Sequence, residues 1–458
     1  MRRSSVVAAS ALLFLSVSPG AAQQRVRVPG PGGPAPAAAA PAAVPAFNAR
    51  AVVAEVRRII AERYVLPERR PVIDAALARS LAAGRYDVTD PGELAERINA
   101  DLDTSGHDRH LNFRFDPQQA AIIAAHRAPQ PDNTAFERQI RAANYGISEL
   151  RVLPGNVRYM AYDGFMWAGP ESAAAVDNAM RFLAGGDAVI IDLRRNGGGS
   201  AEAVQYLVSH FLPAGRPLMS FYANGRATAE RTEALADLPA GRMVGKPLYV
   251  LISGGTGSAA EEFSGHVSGY HLGELIGENT AGAGFNNEVL PVQGRFMLSV
   301  SIGRAVLAAT GRDWEAVGIA PTVPTPVAGA LDVGHALALR RLAASAAGPE
   351  RARLEAMAEG VAARAEHRAA ALPLEAYAGS YGERAISVGD GKLWMRRGTR
   401  AALALVPLGG NLFTLDVDPS ARLTFEVSGT AATAFAMGPA GQPPQGRFAR
   451  TPAASTTN

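Results

Sequence analysis

A chain of 458 residues exceeds what one ordinary hydrophobic core holds, so two or three domains are expected. The formal net charge is only +3 and the arginines are dispersed, with no basic stripe interleaved with aromatics, which argues against a nucleic-acid partner. There is no cysteine, which excludes disulfides and thiolate-bound metal.

The first stretch, MRRSSVVAASALLFLSVSPGAAQQ, places Arg2 and Arg3 before an apolar run from Val6 to Val17 and the small residues Gly20, Ala21 and Ala22. That order is a secretory signal peptide, residues 1–22, cleaved after Ala22. The apolar run is short for a membrane span, so no span is expected after cleavage and the mature chain is expected to be periplasmic or secreted. Residues 23–46 are rich in Pro and Ala without apolar periodicity and read as a disordered tether. Residues 47–130 read as a helical bundle. In VVAEVRRIIAERYVLP, residues Val52, Val56, Ile59, Ile60 and Tyr64 share one helical stripe. VIDAALARSLAAG and PGELAERINADL follow it, with Gly84 as a helix stop and Pro91 as a start.

Across residues 131–330 strands alternate with helices. NVRYMAYDGF, DAVIIDLRRNGGG, PLYVLIS and GELIGENT have strand character; ESAAAVDNAMRFLAG, SAEAVQYLVSHFL and SAAEEFSGHVSGY have helical character. Apolar strands running through glycine turns into helices imply an α/β layered core. Residues 331–371 form a helical connector. Residues 372–450 alternate apolar and polar positions between Gly-Asp-Gly and Gly-Gly turns, the pattern of a small antiparallel β domain. Residues 451–458 read as a disordered tail.

Two glycine turns carry the candidate chemistry. AVIIDLRRNGGGSAEAV does not complete a dinucleotide fingerprint, because Gly197 and Gly199 are followed by Glu202 where its third glycine belongs. It is left as a turn requiring positive φ, or as a source of backbone amides aimed at an anion. In LISGGTGSAAEEF, Ser258 and Glu261 fit a helix capping box. Ser258 equally fits a nucleophile at a strand-to-helix turn, with the next amide facing a developing oxyanion. The G-x-S-x-G elbow is not matched, since Ala260 replaces its last glycine. A serine nucleophile needs a base. Lys246 precedes a strand, and His266 lies on the helix that Ser258 opens but faces away from its start. His107 and His110, in SGHDRHLNF, occupy a loop between domains. The histidines form no metal-binding motif such as H-E-x-x-H, so neither a metal nor an organic cofactor is expected.

IIDLRRNGGG, LYVLISGGTGSAAEEF, GELIGENTAGAG and WEAVGIAPTV stand in the order found in the C-terminal processing (tail-specific) serine peptidases. Together with SGHDRHLNF and the helical bundle, they make the chain from Ala51 to Pro324 resemble that family. The resemblance is to its branch containing tricorn core protease and the interphotoreceptor retinoid-binding protein repeats. It implies a crotonase-like layered ββα core, a peptide or protein substrate, and acyl transfer by a Ser/His/Glu arrangement. Ser258 matches the nucleophile, His110 the general base and Glu315 the acid that orients it. The amides of Ala259 and Gly198, with Gly197 as the neighbouring alternative, match the oxyanion hole. Thr104, Ser105 or Arg109 would lie nearby, but Arg109 stands where tricorn has a serine. The other branch uses a Ser/Lys dyad, and its lysine position holds Ala283, which cannot take a proton. No segment reads as a PDZ domain. A different class, a non-catalytic carrier of apolar ligands or peptides, is available on the same fold; so is an envelope interaction module acting through the β tail.

Overall fold

The structure, a computed structural model, describes residues 47–128, 132–223 and 228–451. The expected signal peptide, the tether and residues 452–458 lie outside the described residues. The chain divides into two units. One comprises residues up to Phe136 with Ala223–Arg226 and Phe285–Gly303; the other comprises Glu137–Tyr222, Ala227–Gly284 and the residues from Arg304 onward.

The first unit opens with helices α1 (Ala49–Arg63), α2 (Arg70–Ala82) and α3 (Pro91–Gly106), then strand β1 (Asn112–Phe115) and helix α4 (Pro117–His126). Side chains of Asn48, Asp90 and Asp116 accept amides in the first turns of α1, α3 and α4. Such caps satisfy donors that a helix start leaves without partners. The stripe expected on α1 is buried at all its positions, Val52, Val56, Ile59, Ile60 and Tyr64. It shares a core with Phe113, Phe296, Leu298 and Val300. The last three belong to a strand far along the chain. Of β9 (Phe285–Val292) and β10 (Phe296–Leu307), the residues up to Gly303 belong to this unit. β10 pairs antiparallel with β1, setting Phe115 opposite Phe296.

The second unit is a three-layer α/β structure. Helix α5 (Thr134–Ala142) crosses into it. There follow β2 (Ile147–Leu153), β3 (Val157–Tyr162), α6 (Pro170–Ala184), β4 (Ala188–Asp192), α7 (Ala201–Ser209), β5 (Pro217–Ala223), β6 (Glu230–Glu233), β7 (Leu248–Ile252), α8 (Ala259–Gly269), β8 (Glu274–Gly277) and β11 (Val323–Pro324). The main sheet has the order β11-β8-β7-β4-β3-β2. Its strands are parallel except for β2, which pairs antiparallel with β3. Every residue of β4 and β7 is buried. This follows from helices on both faces. Residues of α6, α7 and α8 pack on one side, and α9 (Ala330–Ser345) with α10 (Gly348–Ala365) on the other. The helical connector therefore forms the second outer layer of the sheet.

The unit ends in an eight-stranded antiparallel meander: β12 (Gly379–Tyr381), β13 (Arg384–Gly389), β14 (Lys392–Arg397), β15 (Leu403–Gly409), β16 (Leu412–Leu415), β17 (Ala421–Ser428), β18 (Ala431–Pro439) and β19 (Gly446–Ala449). It rolls until Thr451 donates to the carbonyl of Ser380 on the first strand, at 2.8 Å. Tyr377, Tyr381, Phe413, Phe425 and Phe435 fill its interior. Among the described residues, no helix is long and apolar enough to cross a membrane.

Candidate active site

In open parallel sheets, ligand sites form beyond the carboxyl ends of the strands. Both glycine turns lie there: one joins β4 to α7, the other β7 to α8. They are stitched together by short-range bonds. Thr256 Oγ1 donates to the Leu193 carbonyl at 2.8 Å, Ser253 Oγ to that of Arg194 at 2.7 Å, and the Gly257 amide to that of Asn196 at 3.0 Å. Asn196 is fully buried. Its Nδ2 donates to the Tyr162 carbonyl at 2.7 Å and its Oδ1 accepts the Gly198 amide at 2.9 Å. Sequence reasoning missed this residue; the signal was an Asn directly before three glycines, in the turn that follows a buried-type strand.

Ser258 sits at the junction. Its backbone has φ 52° and ψ −120°. The N-caps Asn48, Asp90 and Ser200 instead hold extended backbone. The capping-box pairing with Glu261 is formed, with the Ser258 amide donating to Glu261 Oε2 at 2.8 Å. Yet a non-glycine residue at positive φ costs on the order of 1–3 kcal/mol and persists only where its surroundings hold it. Capping alone does not require that conformation. It is the geometry that thrusts a side chain out of a strand-to-helix turn.

Gly198, at φ 114°, lies directly against this serine: a methyl group there would stand 2.7 Å from the Ser258 Cβ and 3.1 Å from the Ala259 nitrogen. Gly199 is equally constrained, since a methyl there would lie 2.2 Å from the Phe165 carbonyl oxygen. Ala259 begins α8, so its amide has no intrahelical acceptor. The structure thus brings Ser258, Ala259 and Gly198 together, with Gly197 beside them; the Gly198 amide is turned toward Asn196.

Glu261 is fully buried. Beyond the Ser258 amide it accepts Thr280 Oγ1 at 2.6 Å, the Gly282 amide at 2.7 Å and the Ala283 amide at 2.8 Å. Burial pushes its carboxyl upward, while these four donors pull the other way. Glu261 therefore ties the turn at Ser258 to the segment 280–284. Along that segment runs the chain around Glu315. The Gly284 amide donates to Glu315 Oε2 at 2.6 Å, Trp314 Nε1 to the Ala283 carbonyl at 2.9 Å, and the Ala316 amide to the Gly282 carbonyl at 2.9 Å.

His110 belongs to the first unit and is 1% exposed. Asp108 Oδ1 accepts its backbone amide at 2.8 Å. Neither ring nitrogen has a hydrogen-bond partner among the described residues. Burial pushes the imidazole down to about 4 against the attraction of Asp108, so it is neutral at neutral pH, the form a proton acceptor needs. His107 is exposed and closes α3 in the left-handed conformation. The hydroxyls of Thr104 and Ser105 bond back to the carbonyls of Ala100 and Asp101, and Arg109 is exposed. His266 is core, packed within 3.7 Å of Glu262. Lys246 Nζ donates to the Ala184 carbonyl at 2.9 Å. It lies at the start of β7, and that strand's five residues put it on the order of 17 Å from the turn at its other end.

The model of Peptidase family S41 matches residues 156–325. The model of the N-terminal domain of Peptidase_S41 in eukaryotic IRBP matches residues 43–143. The chain belongs to peptidase family S41. This S41 chain is 33% identical over 125 residues to a carboxyl-terminal-processing protease of Synechocystis sp., covering 27% of this chain and 26% of the relative. It is 26% identical over 216 residues to carboxyl-terminal-processing peptidase 2, chloroplastic, of Arabidopsis thaliana, covering 46% and 41%. The chain thus spans less than half the length of either curated relative. A solved photosystem II D1 C-terminal processing protease aligns at TM-score 0.37 and 15% identity, covering 61% of this chain and 93% of that one. That likeness is too low to bear on the assignment.

Proposed function

We propose that this S41 chain is an exported serine peptidase that cleaves peptide bonds through an acyl-enzyme. Ser258 is the nucleophile, His110 the general base and Glu315 the carboxylate that orients it. The amides of Ala259 and of Gly198 or Gly197 receive the oxyanion, Gly198 by exchanging its bond to Asn196 Oδ1 for the substrate oxygen. What carries the reading is the backbone of Ser258, held at positive φ where β7 turns into α8, with Gly198 against its Cβ. A serine kept only for capping has no need of that strain. In this proposal residues 47–130 form an N-terminal helical domain, 131–330 a crotonase-like peptidase core, 331–371 a connector and 372–450 an appended β domain. The apolar leader of residues 1–22 supports export to the periplasm or beyond.

In the proposed cycle His110 takes the Ser258 proton as Oγ attacks the substrate carbonyl. The backbone amides then stabilise the tetrahedral oxyanion, a contribution of roughly 3 kcal/mol per donor. His110 next protonates the leaving amine, and water repeats the sequence on the ester. A fluorophosphonate probe tests the assignment: labelling is expected in the parent chain and absent in folded Ser258→Ala. Labelling that survives the substitution removes Ser258 from the mechanism. His110→Ala is expected to slow turnover roughly 100-fold or more while His266→Ala retains chemistry in whatever fraction folds. Equal losses per folded molecule would sink the choice of base.

A further inference from the structure

Strand β2 is the open edge of the main sheet. Five consecutive residues of it, Ser148 to Val152, are exposed. Leu150 and Val152 are 41% and 53% exposed and share a face with their partners Met160 and Arg158 on β3. Glu149 and Arg151 occupy the opposite face, 3.5 Å apart, with the Arg151 guanidinium 4.9 Å from the Tyr159 ring centre. A bare edge with unpaired backbone groups and apolar side chains is a template for another strand.

The sequence of this edge complements itself. An antiparallel pair with its two-fold axis at Leu150 sets Glu149 opposite Arg151 of the second copy, and Arg151 opposite its Glu149. Leu150 then meets Leu150, and Val152 meets Ser148. Shifting the axis to Glu149 or to Arg151 would instead oppose like charges, which is destabilising in directly facing pairs. We propose that β2 is the self-association surface of this protein, joining two copies through an isologous strand pair that makes one continuous sheet. The charge pattern selects a second copy of this chain over an unrelated extended peptide, because it places both charges of each strand in register with their opposites.

Charge reversal on the purified full chain tests this by sedimentation velocity. The parent chain is expected to run as a dimer. Glu149→Arg and Arg151→Glu are each expected to run as monomers with unchanged circular dichroism, since both side chains are exposed. An equimolar mixture of the two variants is expected to recover the dimer, because one strand then brings two arginines to the facing positions and the other two glutamates. The double variant is expected to dimerise as the parent does. A monomeric parent, a dimer that survives either single reversal, or a mixture that stays monomeric would overturn the proposal.

Discussion

Glu261 accepts the amide of Ala283 at 2.8 Å with the same oxygen that holds the amide of Ser258. One buried carboxylate thus couples the residue at the turn to the segment of residues 280–283. Glutamine at 261 would keep one acceptor oxygen and turn an NH2 group toward backbone donors. Glu261→Gln is expected to cost about 3 kcal/mol of unfolding free energy, the penalty of leaving buried donors without acceptors. It should also slow fluorophosphonate labelling. A urea midpoint equal to the parent's would mean that the segment 280–284 is held by other bonds.

The positive φ of Ser258 predicts an inverted order of stability. Alanine keeps the Cβ and hence the strain, whereas glycine sheds it. Ser258→Gly is expected to exceed Ser258→Ala by about 1 kcal/mol in denaturant titrations, although glycine ordinarily loses such comparisons. Were alanine the more stable, the turn would be relaxed and the case for an imposed geometry would fail.

At Gly198 the constraint is steric. Gly198→Ala brings a methyl group against the Ser258 Cβ at a residue whose φ of 114° already disfavours a side chain. Either the serine or the glycine turn must move, and labelling should drop at least ~100-fold, comparable with losing an oxyanion donor. Asn196→Ala frees the Gly198 amide but also orphans the Tyr162 carbonyl, so its expected signature is reduced stability together with altered labelling. Parent-like labelling by Gly198→Ala would place the oxyanion elsewhere.

His110 should make stability depend on pH. Its ordinary value of 6.5 falls to about 4 in the fold, because burial penalises the cation more than Asp108 rewards it. Between those values the unfolded chain binds a proton that the folded chain refuses. Stability is therefore full above pH 6.5 and declines as the pH falls toward 4, by about 3 kcal/mol for this group. His335, also pushed down to about 4 by burial, adds a loss of the same sign. His210, lowered by burial as well, acts in the same direction. His110→Asn is expected to shrink the difference in urea stability between pH 7 and pH 4.5 by about 2.5 kcal/mol. An undiminished difference would show that the His110 ring is solvated in the folded chain.

Much of this architecture is legible in the residues because it depends on neighbours in sequence. The stripe from Val52 to Tyr64 has helical spacing, and all of it is buried. The S-x-x-E spacing at Ser258 signals a capping pair, and that pair forms. What the residues do not disclose depends on distant partners. Nothing in the hairpin of Phe285–Gly303 says that Phe296 will stack on Phe113, with ring centres 5.1 Å apart. The other donors to Glu261 arrive from residues 280–283. The spacing of SGHDRHLNF does not separate His107 from His110; burial does, leaving the first in solvent and the second enclosed. Backbone strain is equally silent, since a serine letter carries no φ.

The rolled meander at the far end of the chain is solid rather than hollow. The Tyr377 ring lies 5.1 Å from those of both Phe413 and Phe425, and Phe425 lies 5.2 Å from Phe435, mostly edge to face. A guest molecule could enter only by expelling rings that constitute the domain's own core, at a loss of several kcal/mol for each. Whatever this domain recognises, it must therefore do so with its rim or outer wall, as a surface rather than a vessel.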